Sequence, residues 1–90
     1  MIKQFHLFVR GDVVGVGFRA WTKIQARAVG VTGWVRNIND GVEAVIQGDE
    51  EKVKKMVELL KQGPPVSRVD RVEVSGKEVK QIFEGFEIRP

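Results

Sequence analysis

GWVRNINDGVEAVIQGDEEKVKKMVELLKQGPP, residues 33–65, decides the fold. Two runs, 34–37 and 42–47, read as strands rich in β-branched residues. Between them Asn39-Asp40-Gly41, residue types that tolerate positive φ, predicts a hairpin turn. Val53, Met56, Val57 and Leu60 then fall at i, i+3, i+4 and i+7, the apolar stripe of a helix over 50–62. Asp49 stands as its N-cap, with Glu50 and Glu51 in the positive-dipole first turn and Gly63-Pro64-Pro65 as its stop.

Outward from that stretch the same two periods recur. Residues 3–10 set Phe5, Leu7 and Val9 against Gln4, His6 and Arg10, the period-2 pattern of a strand with one buried face. The alternation breaks at Gly11-Asp12. From Phe18 the spacing becomes helical (Phe18, Trp21, Ile24, Ala28), and Gly30 is expected to end that helix as a left-handed cap. Further strands are expected around 68–75 and 83–88. The order β-α-β-β-α-β plus a final strand is the ferredoxin-like, split-βαβ arrangement. It predicts an α+β sandwich with two helices on one face of an antiparallel or mixed sheet. With no linker, repeat or low-complexity tract, residues 1–90 are expected to form a single domain.

Composition narrows the chemistry. No cysteine means no disulfide, no thiolate nucleophile and no Cys-based zinc site, and one histidine, His6, leaves no His-rich metal centre. No apolar run approaches the roughly 18 residues that span a bilayer. Residues 1–6 lack the apolar core of a signal peptide, so a soluble cytoplasmic protein is expected. The net charge of +3 is unevenly spread. Residues 1–37 carry Lys3, Arg10, Arg19, Lys23, Arg27 and Arg36 against Asp12 alone, and seven of the ten glycines fall by Gly48.

The positive, glycine-rich half contains GDVVGVGFR, Gly11 to Arg19, between the first strand and the first helix. A glycine-rich strand-to-helix turn gathers unpaired N–H groups at the positive end of a helix, a setting that attracts anions. Arg19 closes it with a guanidinium able to hold two phosphate oxygens. A sharp turn in which glycine only relieves sterics is the plainer alternative. Gly15 to Ala20 formally fits the dinucleotide fingerprint, but the acidic residue expected about 20 positions on is missing and the element order is wrong. No Walker Gly-Lys-Ser/Thr follows either. In GWVRNINDG, Asn37 ends a short strand that returns to the same end of the sheet. Its amide suits the holding of a water molecule, or simply the turn beside it.

Together these stretches resemble the acylphosphatase family. The resemblance runs through GDVVGVGFR, GWVRNINDG, VEAVIQG, QGPPVSRVDRVEV (62–74) and GFEI (85–88), nearly the whole chain. It implies hydrolysis of the carboxyl–phosphate bond of a small acyl phosphate to a carboxylate and inorganic phosphate. It further implies a phosphate cradle from Val13, Val14, Gly15, Val16, Gly17 and Phe18, a phosphate-binding Arg19 and a water-positioning Asn37. No cofactor or metal is implied. The expected partners are the substrate and inhibitory phosphate, with no nucleic acid, no membrane and a monomeric state. Two departures stand out: Val14 occupies a position where the family usually has Gln, and the hairpin at 40–43 is one residue short. A shorter turn is liable to shift the register beside Asn37.

Two other readings stay open. An RNA-binding module on the same frame is suggested by the basic pI, although RNP1 is absent and residues 42–47 offer no aromatic. A non-catalytic phosphate- or partner-binding descendant is suggested by the two departures. Outside the loop, His6 is read as structural or exposed, Trp21 and Trp34 as core residues, and Lys52, Lys54, Lys55 and Lys61 as a solvated helix face.

Overall fold

A computed structural model describes all residues, 1–90. Its elements are β1 (Ile2–Asp12), α1 (Phe18–Val29), β2 (Thr32–Ile38), β3 (Gly41–Asp49), α2 (Glu50–Gln62), β4 (Arg68–Lys77) and β5 (Phe86–Ile88). They form a five-stranded sheet of order β4-β1-β3-β2-β5, antiparallel except where β5 runs parallel to β2. This is the expected ferredoxin-like sandwich. Inward-facing Leu7, Val9, Val35, Val42, Ala44 and Ile46 of the sheet meet Phe18, Ala26, Val53, Met56 and Leu60 of the helices in one core. Each large side chain buried this way contributes about 1.5–3 kcal/mol. No helix is long and apolar enough to cross a membrane.

The second helix follows its pattern: Val53, Met56 and Leu60 are buried, and Val57 packs at their edge. The first helix does not. Its buried residues are Phe18, Thr22 and Ala26, while Ile24 is 63% exposed and Ala28 faces solvent. Small residues at i+4 and i+8 let the helix sit close to the sheet, and the buried Thr22 hydroxyl is satisfied by donating to the Phe18 carbonyl at 2.8 Å. Trp21 keeps its place at the core margin, tilted against Phe18.

Trp34 departs from expectation more fully. It lies on the sheet face opposite the helices, with the guanidinium groups of Arg89 and Arg36 at 4.7 and 5.5 Å from its ring. The reason is register: Val35 points inward, so Trp34 and Arg36 on either side point outward.

The hairpin is a two-residue turn, Asn39-Asp40, closed by the Ile38–Gly41 pair. The hairpin turn is there as expected, but no non-glycine residue has positive φ and Gly41 does not either, so it forms without the left-handed conformation these residues tolerate. Gly41 is required for another reason: a Cβ there would collide with the Val9 carbonyl of β1. The ladder runs without a shift from Thr32–Gln47 to Ile38–Gly41, so the short turn leaves Asn37 opposite Val42 in register.

Candidate active site

The loop from Val13 to Gly17 carries the chain from the interior strand β1 into α1. Gly15 (φ 80°) and Gly17 (φ 78°) are both left-handed, a conformation that costs other L-residues about 1–2 kcal/mol. Gly17 is the N-cap of α1, so the helix starts without a side-chain cap, and no acid lies in its first turn. The first hydrogen bond at this end runs from the Trp21 N–H to the Gly17 carbonyl, 3.0 Å. From Val13 through Ala20, no backbone N–H donates to any acceptor in the protein. A helix ordinarily leaves only its first few N–H groups unpaired. Here the loop extends that run, and the helix dipole adds positive potential to it.

Six residues of this run line a cavity of about 190 Å³. Gly15, Gly17 and Arg19 meet Asn37 of β2 there, together with Val13 and Phe18, Ala20 of α1 and Ile88 of β5. The lining carries no carboxylate, imidazole or thiol, and Arg19 is its one charged group. Arg19 is half-buried yet takes part in none of the protein's ion pairs. Neither its side chain nor that of Asn37 makes a hydrogen bond within the protein. A planar cation, a row of amides and a neutral amide thus converge with their hydrogen-bonding capacity unspent. Such a set can hold a tetrahedral oxyanion and a water molecule.

Arg19, Asn37, Val13, Gly15, Gly17 and Phe18 therefore come together as the sequence suggested. Val14 and Val16 do not line the cavity: Val14 is 44% exposed, and Val16 packs against the core. Ala20 and Ile88 were missed. Ile88 had a readable signal, since it stands two residues after inward-facing Phe86 and so on the same face of the last strand.

The open face of the sheet is the other surface raised by the sequence. It carries Phe8, His6 and Trp34, with the His6 ring 4.8 Å from Phe8 and 6.4 Å from Trp34. Glu43 lies at its centre, accepting from Arg36 Nε at 2.6 Å and meeting His6 Nε2 at 2.6 Å. Burial pushes this carboxyl up, but the His6 and Arg36 hydrogen bonds and the Arg36 charge outweigh it and hold Glu43 below the usual carboxylate range. Arg10 pairs with Asp40 and Glu73, Arg71 with Glu73, and Arg89 with Glu87. Where the segment after β4 passes this face, the Gln47 side chain donates to the Gln4 side chain and the Gln81 carbonyl and accepts from the Phe83 N–H.

Comparison with known proteins points the same way as the cavity. The family model described as Acylphosphatase matches residues 5–88. An acylphosphatase of Syntrophobacter fumaroxidans is 47% identical over 87 residues, covering 96% of this chain and 90% of that one. One of Thermococcus kodakarensis is 51% identical over 84 residues, covering 92% and 91%. Among solved structures, the acylphosphatase from Bacillus subtilis superposes with a TM-score of 0.93 at 34% identity, each chain covered completely.

Proposed function

The chain belongs to the acylphosphatase family, and from that premise we propose how its cavity cleaves the carboxyl–phosphate bond of an acyl phosphate. The phosphoryl oxygens lie against the N–H groups of the 13–18 loop and the first turn of α1, and Arg19 takes two of them. Asn37 holds the attacking water. The water oxygen forms a new bond to phosphorus as the bond to the acyl oxygen breaks, and the electron pair leaves on a carboxylate. The water's proton passes to a phosphoryl oxygen of the substrate, so the products are a carboxylate and inorganic phosphate.

The chemistry asks little of the protein beyond position and charge. A carboxylate is a stable leaving group, and the charge spread over the transferring phosphoryl is what the site must meet. Holding water and phosphoryl in line supplies the rest. Metal independence is part of the proposal, supported by the absence of any carboxylate, imidazole or thiol ligand in the cavity lining. Val14 in place of the family's usual Gln leaves the cradle intact on this reading, because the donors are backbone groups.

One observation carries the proposal: Arg19 and Asn37 share a cavity with a run of backbone N–H groups that have no acceptor in the protein. The test is optical. Hydrolysis of benzoyl phosphate in the presence of a metal chelator is expected, with inorganic phosphate as competitive inhibitor. A protein that bound phosphate at this site without turning over the substrate would instead be the non-catalytic descendant.

A further inference from the structure

On the reading of the cavity just given, we infer that Ile88 is the wall against which the substrate's acyl group packs, and so sets the preference among acyl phosphates. The phosphoryl group takes the glycine and Arg19 end, and the water takes Asn37. Of the apolar lining, Val13 and Phe18 are each 1% exposed and belong to the core. Ala20, from the helix, and Ile88, from the sheet edge, are the two exposed apolar residues of the lining. The bend at the bridging P–O–C oxygen turns the acyl carbon away from the axis of attack, so the group lies against a side of the opening. Ala20 offers one methyl group there. Ile88 offers four side-chain carbons and is 40% exposed, surface that an acyl group can cover.

Ile88 is also fixed rather than loosely placed. It pairs with Val35 in the parallel β2–β5 ladder, and the following residue donates its N–H to the Val35 carbonyl at 2.8 Å. The Arg89 side chain reaches the opposite face, packs on Trp34 and bonds Glu87 at 3.0 Å. Trp34, displaced from its expected core position, thus supplies an anchor for the strand that carries Ile88.

The experiment compares kcat/KM for benzoyl phosphate and acetyl phosphate in the parent, Ile88→Ala and Ile88→Thr. The threonine variant keeps a β-branched side chain in the strand while removing apolar surface. In both variants the benzoyl-to-acetyl ratio is expected to fall about fivefold, as befits partial loss of one apolar contact. The inhibition constant for inorganic phosphate should stay at the parent value, because phosphate touches only the cradle. An unchanged ratio, or an equal loss with both substrates, overturns the role of Ile88. Failure of the underlying reading is separate: it would show in the parent protein as no hydrolysis of either substrate, or as no competition by phosphate.

Discussion

The amino end of α1 and the open face of the sheet treat charge in opposite ways. On the open face Arg10, Arg36, Arg71 and Arg89 each have a carboxylate partner, and Glu43 is bonded from two sides. At α1, Arg19 has none, although it sits in the first turn, where the dipole already disfavours a cation. The contrast with α2 is as plain, since its first turn carries Glu50 and Glu51. The arginines of the open face are neutralised within the fold, whereas Arg19 is not, and it stands beside amides that are also unpaired. That arrangement forgoes some stability in the free protein, which on the proposed function a bound anion restores. On the open face, by contrast, the arginine charges are already answered within the fold.

The largest effect expected is therefore at Arg19. Arg19→Ala should lower kcat/KM for benzoyl phosphate by about a thousandfold or more and abolish competition by phosphate. Its Tm should hold or rise, because removing a cation from a helix amino end relieves about 0.3–1 kcal/mol. A variant that lost stability instead would show that Arg19 is structural and break the comparison. Asn37→Ala comes next, with kcat lowered about a hundredfold and phosphate inhibition nearly unchanged, since the water and not the phosphate has lost its holder. An inhibition constant that rose in step with the loss of kcat would put Asn37 on the phosphate.

Much of this division could be read before the structure, and the exceptions have physical causes. The bounds of α2 followed from an i, i+3, i+4, i+7 stripe with acids before it and Pro64-Pro65 after it, all local signals. The phase of α1 did not, because Thr22 and Ala26 are buried for their small size and Ile24 is left outside. Trp34 was misplaced since a short strand does not declare which of its faces meets the helices. Arg19, Asn37 and the glycine loop were legible as residue types, whereas their convergence depends on the register of β2 against β3. For Ile88 the sequence shows the face it shares with Phe86 but not its place beside the cavity, which comes from a parallel pairing across some fifty residues, between Val35 and Ile88.

The smallest effect expected concerns the saturated region, and it tests whether the two regions are independent. Glu43→Gln keeps the shape of the side chain and removes its charge. At neutral pH the variant should be less stable than the parent by about 1.5–3 kcal/mol, the range for hydrogen bonds to a charged group. The folded-state pKa of Glu43 lies below its unfolded value of about 4.3, so the folded state binds fewer protons through this range. Its contribution is fully present above that value and is lost as pH falls through the depressed one. Urea unfolding of parent and variant between about pH 6 and pH 2 should therefore show a stability gap that closes only at the acid end. A gap of constant size would mean that the His6 and Arg36 contacts do not hold the carboxylate. Turnover at neutral pH should be the same in both proteins, because Glu43 and its partners lie outside the cavity lining. Loss of activity in Glu43→Gln would mean that charge on the open face reaches Arg19 through the sheet, and the two regions would have to be treated as one.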